Sequence, residues 1–369
     1  MYFSKTNSKF KVLSVLLILV LVIGVFAGCG GGAAAPETPD EETPVETIEL
    51  SLSTMWGANH KFVTTIVPQW NEYLMEATDG EIQITVYPGG TLTPAGEAYE
   101  GVVQGISDMA VVSYALTRGR FPVIETLQVP GIQWNNAMAS GSAFDEAMRI
   151  LQPEEHADTQ FLFGFSPGPG EIQSQKPIRT MDDLKGLSIL VNSGVAVDAM
   201  TLLGASPVMM PTPDWYEALQ RGVANAGLIS GEVLEGYRHF EVNGNYVTAT
   251  PFMYNMSFGV MINHDTWSKL SPKAQEALQV RPDGLLELFN ELNVSAYALN
   301  KTNKDVEVIY MTEDEIAKWK EVIAPVMDKH LASLEEKGID SEKVYETIQQ
   351  LAEKWNAEFP DVNPYLKDL

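Results

Sequence analysis

Two stretches of the chain alternate polar and apolar residues with a period of two: Thr47-Ile48-Glu49-Leu50-Ser51-Leu52-Ser53 and Glu81-Ile82-Gln83-Ile84-Thr85-Val86-Tyr87. That period turns one face of each segment toward a core, so both are predicted as half-buried strands. Between them Phe62, Ile66, Trp70, Tyr73 and Leu74 recur at helical spacing, and Thr78-Asp79-Gly80 supplies a glycine where a left-handed cap would end the helix. A strand-helix-strand unit favours a layered α/β architecture, because a parallel return needs a crossover helix.

The pattern is then repeated. Tyr99-Glu100-Gly101-Val102-Val103-Gln104-Gly105 through Ser113 is echoed without a gap by Tyr216-Glu217-Ala218-Leu219-Gln220-Arg221-Gly222 through Ser230. In each copy a helix stops at glycine, and a turn with Asp or Asn leads into an apolar strand ending on serine. The echo predicts two similar α/β lobes. Ligands of open α/β sheets sit beyond the carboxyl ends of strands, which places Ser113 and Ser230 at the two lips of a cleft. From Leu270 onward the chain reads as helical, with one apolar stripe at Trp319, Ile323, Val326 and Met327 and another at Val344, Ile348, Leu351 and Trp355. Both stripes are read as core.

The first 29 residues differ from this body. Lys5, Lys9 and Lys11 precede an apolar run, Val12 to Phe26, which is short for a bilayer span and has the form of an export signal. It ends in Phe26-Ala27-Gly28-Cys29, which resembles the lipobox of bacterial lipoproteins, with Phe26 where Leu is more usual. Cys29, the only cysteine, is therefore the expected lipidation site; the alternative is an uncleaved membrane anchor with a free thiol. Residues 30–46, glycine and alanine followed by a stretch rich in Pro, Thr, Asp and Glu, cannot build a core and are read as a flexible tether with an end-to-end distance of roughly 20–25 Å.

Charge and chemistry narrow the function classes. With 49 acidic against 24 basic residues and a net charge of −25, nucleic acid is not an expected partner. No second apolar run approaches transmembrane length, so the mature chain is not read as a transporter. The five histidines, at 60, 156, 239, 264 and 330, show no metal-binding spacing, and no phosphate-binding glycine loop is present, so neither metal nor cofactor is expected. Gly164-Phe165-Ser166-Pro167-Gly168 fits the G-x-S-x-G pattern of serine hydrolases, but Pro167-Gly168-Pro169-Gly170 cannot start the helix that a nucleophile elbow requires. The chain is not expected to be an enzyme.

Several segments are informative when taken in order: Asp79-Gly80 before Tyr87-Pro88-Gly89-Gly90, Gly119-Arg120-Phe121-Pro122, Lys176 through Leu187, Leu203-Gly204-Ala205-Ser206-Pro207-Val208, Tyr216 through Val223, and Met261-Ile262-Asn263 before Trp267. They resemble the solute-binding subunits of tripartite ATP-independent periplasmic (TRAP) transporters, the DctP-like family. The resemblance implies two α/β lobes around a ligand cleft with a helical C-terminal region. The first lobe would hold 47–167 and about 255–295. The second would hold 168–254 and about 296–369, including the C-terminal helices. It implies an extracytoplasmic protein, lipid-anchored at the outer face of the cytoplasmic membrane or periplasmic. Such a protein captures a small organic solute and delivers it to ion-gradient-driven TRAP membrane subunits. A ligand-sensing protein for a receptor is the related alternative, and an extracytoplasmic hydrolase the alternative from another class.

The family's ligand chemistry is altered here. An arginine that pairs with a ligand carboxylate in many members is Leu190 in this chain, and a second falls at Gly170. A carboxylate buried without a partner is costly. The solute is therefore expected to be neutral or largely apolar, or a carboxylate held by replacement donors from His60, Lys61, Arg118, Arg120 and Lys176. Strand ends and loop positions nominate the pocket: Met55, Trp56, His60, Ser113 and Tyr114 in the first lobe, Leu190, Asn192, Trp215 and Ser230 in the second, and Asn255 and Phe258 at the crossing.

Overall fold

A computed structural model of the protein describes residues 47–117 and 119–366. The signal segment, the tether, Cys29 and Arg118 lie outside the described residues.

β1 (Ile48–Ser53) and β2 (Ile82–Tyr87) pair in parallel, Ile48 opposite Ile82 and Ser53 opposite Tyr87. The crossover is a π-helical turn, Phe62–Ile66, running into α1 (Val67–Ala77). Phe62, Ile66, Trp70 and Leu74 are buried as their spacing requires, whereas Tyr73 is 39% exposed, on the flank of the stripe. The helix ends as expected, with Asp79 and Gly80 both at positive φ and the Gly80 N–H donating to the Met75 carbonyl. β2 keeps a clean in-out alternation because it is an edge strand, and Asn71 of α1 satisfies its outer edge by bonding both the N–H and the C=O of Ile84.

The echoed segments form the same structure twice. α2 (Ala98–Val103) leads into β3 (Met109–Ser113), with α3 (Ala137–Leu151) following β3. In the second copy α4 (Gly194–Leu202) precedes α5 (Trp215–Gln220), which leads into β8 (Ala226–Ile229). Gly105 and Gly222 share a φ of 70°. At each, the glycine N–H donates to the carbonyl three residues back, and the next N–H donates five back, Ile106 to Gly101 and Val223 to Ala218. Both helices thus end in the same glycine-dependent motif.

Two sheets result. The first has the order β2-β1-β3-β10-β4 and the second β11-β9-β5-β8-β6-β7. The remaining strands are β4 (Thr159–Phe165), β5 (Glu171–Ser174), β6 (Ser188–Val191), β7 (Ser206–Met209), β9 (Tyr246–Thr248), β10 (Phe258–Asn263) and β11 (Glu307–Ile309). β3 lies parallel to β1 and antiparallel to β10; β8 lies parallel to β6 and antiparallel to β5. The antiparallel partner in each sheet is the strand that has just arrived from the other one. β5 enters the second sheet after β4, and β10 returns to the first after β9.

These two crossings run side by side. Pro169 and Asn255 form an isolated antiparallel bridge, Gly170 N–H donates to the Tyr254 carbonyl, and the Thr250 hydroxyl donates to the Gly170 carbonyl. A third connection is α6 (Leu285–Asn303), whose Asn293 donates to the Pro167 carbonyl of the crossing.

The C-terminal helices follow a different grouping from the one read in sequence. α7 (Glu313–Glu336) packs on both α4 and α8 (Ser341–Glu358), with Trp319, Ile323, Val326 and Met327 buried. α8, grouped in sequence with the second lobe, packs instead on α3 beside the first sheet. Its Val344, Ile348 and Leu351 share a core with Ala143, Phe144, Ala147 and Met148. The α3 face opposite the sheet is apolar and needs a cover, which this stripe provides. Among the described residues no helix is long and apolar enough to cross a membrane.

Candidate functional site

The loops beyond the carboxyl ends of β1, β6 and β8 meet where the sheets face each other. After β1, Trp56 is 1% exposed and stacks on His60 with ring centroids 5.0 Å apart and planes 10° apart. The same indole touches Phe62, Phe165, Phe258 and Phe289, each centroid within 5.9 Å. Aromatic neighbours at such spacing contribute on the order of 1 kcal/mol per pair beyond burial. The His60 Nδ1 accepts from the Phe62 N–H at 3.2 Å, which leaves Nε2 to carry the proton of the neutral ring. That nitrogen points across the interface between the lobes.

It meets Glu232, which follows β8. His60 Nε2 lies 3.7 Å from Glu232 Oε2, beyond hydrogen-bond length, and both side chains are more than nine-tenths buried. Neither atom has another polar partner. Glu232 is held from behind, its backbone N–H donating to Asn293 Oδ1 at 2.8 Å. The Tyr237 and Tyr254 phenols are both pushed well above their ordinary range, first by burial and then by the negative charge of Glu232. Asn192, just past β6, donates to the Thr212 hydroxyl at 3.2 Å and the Tyr254 hydroxyl at 3.1 Å, leaving its own carbonyl oxygen unpartnered. The Ser230 hydroxyl and the Tyr237 hydroxyl are buried without partners as well. Polar atoms from both lobes thus converge at one place with hydrogen-bonding capacity unused, where buried polar groups are ordinarily paired.

Of the residues nominated from sequence, Trp56, His60 and Phe258 form one ring cluster, Ser113 contacts Met256 Sδ at 3.6 Å and lies opposite Phe258 in register, and Asn192 and Ser230 stand at the second lobe's strand ends. Asn255 sits in the crossing and accepts from the Ser166 hydroxyl at 3.0 Å. Met55 is partly buried against the same core, and Leu190 is fully buried in β6. Two nominees lie apart. Tyr114 is in the first lobe's outer core, bonded to His156 Nε2 at 3.0 Å, and Trp215 is in the second lobe's core, with its indole N–H on the Met210 carbonyl.

Of the replacement donors among the described residues, His60 stands here, but Lys61, Arg120 and Lys176 do not. Lys61 and Lys176 are exposed. Arg120 is half-buried between Glu100 and Asp158, stacks on Tyr99 and Phe121, and donates to the Glu155 carbonyl. At Gly170 no side chain fits: a Cβ would stand 2.5 Å from the Tyr254 ring and 2.8 Å from the Ile229 carbonyl carbon. Ser166 is fully buried, bonded to Ser140, Asn255 and the Gly168 N–H, and so is built into the crossing. Glu232, Tyr254, Phe289 and Asn293 were not singled out by sequence. Glu232 is two residues beyond the predicted lip at Ser230, and Tyr254 is the neighbour of Asn255, so position alone could have found those two.

Two α/β lobes joined by paired crossings, with polar groups of both converging between them, define a two-lobed solute-binding fold. The chain belongs to the bacterial extracellular solute-binding protein family 7 (DctP), whose pattern matches residues 52–334. It is similar to a solute-binding protein of Roseobacter denitrificans, 29% identical over 215 residues and 57% of this chain, and to the 2,3-diketo-L-gulonate-binding periplasmic protein of Escherichia coli, 30% identical over 216 residues and 57% of this chain. The chain spans 65% and 64% of the length of those two relatives. A crystal structure of a TRAP periplasmic solute binding protein from Desulfovibrio salexigens superimposes with a TM-score of 0.73 at 27% identity, covering 84% of this chain and 97% of that one.

Proposed function

We propose that this protein captures a small organic solute between its lobes outside the cytoplasm and delivers it to TRAP-type membrane subunits. The observation that carries the reading is the convergence of unpartnered buried polar atoms from both lobes, His60 on one side and Asn192, Ser230 and Glu232 on the other. A bound solute that satisfies these atoms in the closed state would favour closure by its differential affinity. Hinge motion suits the paired crossings, where a few residues absorb the change in backbone angles. The 2,3-diketo-L-gulonate relative and the TRAP neighbour support the transport assignment by kinship.

Export and anchoring belong to the same proposal. The basic and apolar segment before Cys29 would direct the chain out of the cytoplasm, and acyl chains on Cys29, each buried CH₂ contributing about 0.8 kcal/mol, would hold it to the membrane. The tether would then keep the lobes at high local concentration beside the membrane subunits.

The test is a solute screen on the purified chain, reading melting temperature and small-angle scattering together. One solute class is expected to raise the melting temperature, by an amount set by RT ln(1 + [L]/Kd), and to compact the molecule. A broad screen of organic acids, alcohols and amines with no shift and no compaction would remove the reading.

A further inference from the structure

The charge balance of the cleft goes beyond the general reading. Among the described residues no lysine or arginine is buried. The four that are half-buried are engaged elsewhere: Arg120 with Glu100 and Asp158, Arg281 on the Gly164 carbonyl, Lys304 on Asn243, and Lys320 over the Phe252 ring. At the place where the lobes meet, the charged group is instead a carboxylate. Glu232 is 6% exposed, its Oε2 has no hydrogen-bond partner, and the nearest basic atom, His60 Nε2, stands 3.7 Å off.

Around that carboxylate the surfaces are aromatic. The His60 ring lies on Trp56 and near Phe289, and the Glu232 charge reaches both the Tyr237 and Tyr254 phenols. A buried carboxylate backed by aromatic faces is the physical recipe for holding a cationic nitrogen, which gains from the ring quadrupoles and from charge pairing at once. A carboxylate solute would meet the opposite situation: no guanidinium at Leu190, no room for one at Gly170, and a like charge at Glu232.

We propose that the solute taken by this cleft is an organic cation without a carboxylate, presenting a protonated amine to Glu232 and resting its carbon skeleton on the rings around Trp56. This rests on the solute-binding reading above and narrows its substrate class. His60 Nε2–H faces the same point and donates to an acceptor on the solute, such as a hydroxyl beside the amine. Asn293 is a positioning residue, since its carbonyl oxygen fixes the Glu232 backbone and its amide ties that point to the crossing.

The experiment uses the full chain in detergent and three sets of probes matched in carbon skeleton, from two-carbon chains to naphthyl rings: primary amines, alcohols and carboxylates. Binding is read by calorimetry and by melting temperature. Amines are expected to bind in preference to their matched alcohols and carboxylates. Glu232→Gln is expected to weaken the amines at least about 30-fold while changing alcohol binding less than about threefold. Should Glu232→Gln fail to fold, the ranking of the three sets on the unaltered protein decides by itself. Carboxylates or alcohols binding in place of amines would overturn the cation assignment and leave the solute-binding reading standing. No binding by any set would overturn both.

Discussion

The Nε2 of His60 and the Oε2 of Glu232 face each other at 3.7 Å across the line where the two lobes meet. The first follows β1 and the second follows β8, so the pair measures lobe closure directly. His60→Ala removes the first lobe's side of this approach, a loss of about 1 kcal/mol from the closed arrangement on the scale of one hydrogen bond, while the stack on Trp56 that it also removes lies within the first lobe. The expected outcome is a larger radius of gyration in the absence of solute and a solute affinity lowered roughly fivefold, seen by small-angle scattering and calorimetry. An unchanged radius and affinity would mean that His60 has no part in closure.

Gly170→Ala is expected to destabilise the fold by about 2–3 kcal/mol, because the added methyl meets the Tyr254 ring at 2.5 Å and backbone at 2.8 Å. Urea denaturation should show a lower midpoint with an unchanged slope. Relief by Tyr254→Ala in the double variant would identify the ring as the obstacle.

Ser166 joins the crossing through Ser140, Asn255 and the Gly168 N–H. Ser166→Ala leaves the buried Asn255 carbonyl oxygen and Gly168 N–H short of a bond, while Ser140 keeps the Asn136 carbonyl, and is expected to cost about 2–3 kcal/mol. Any ester hydrolysis in the preparation should be the same in both proteins. A drop in hydrolysis with stability intact would revive the nucleophile reading that the G-x-S-x-G spacing suggests.

Stability should fall with acid. Burial holds the imidazoles of His156, His239 and His330 below the ordinary 6.5, at about 3, about 4 and about 4. From pH 6.5 down to about 4 the unfolded chain therefore binds more protons than the folded one at these sites, and their contribution drains away as pH falls. Glu155 opposes them: burial raises its carboxyl from 4.5 to about 7, so its contribution is present below 4.5 and lost as pH rises through 7. Three groups against one leave roughly two net protons, or up to about 3 kcal/mol per pH unit between 6 and 5. Thermal unfolding at fixed ionic strength measures this, and His330→Gln is expected to reduce the slope by about one proton. A stability that rises as pH falls from 6 to 5 would contradict the balance.

Cys29→Ser removes the proposed acylation point. The expected result is release of the protein from membranes by washing alone, with a processed amino terminus that carries no added lipid mass. Retention after washing would point to a segment before Cys29 that stays attached.

Much of this was legible in the chain. Leu50, Leu52, Ile82 and Ile84 announce strands because β1 and β2 each bury one face near a sheet edge, and Gly105 and Gly222 announce equivalent helix ends because both need positive φ. The exchange of β5 and β10 between sheets leaves no mark in either strand's own residues, which are compatible with local pairing; only the family resemblance implied that about 255–295 belong with the first lobe. Tyr114, directly after β3, and Trp215, after the turn Thr212–Asp214, turn their rings into the cores, onto His156 for one and over Gly227 for the other, partners that are likewise distant in sequence. Glu232 was passed over because a lone glutamate after a strand reads as surface, whereas here it is buried and faces His60 of the other lobe, distant in sequence. At Gly170, one of the two positions where the family likeness implies an arginine, the sequence offers no sign of what stands in that space. Tyr254 does.

The position of β10 has a consequence for synthesis. It lies between β3 and β4 in the first sheet, yet it is made only after β5 through β9 of the second. While the ribosome works from Phe165 to Asn263, β3 and β4 are complete but have no strand between them, so their facing edges stand unpaired. The first sheet, begun first, therefore stays open until β10 is made, and the second gains its edge strand β11 later still. A chain released before β10 would carry an open first sheet, the form most prone to capture by chaperones or by a neighbouring strand.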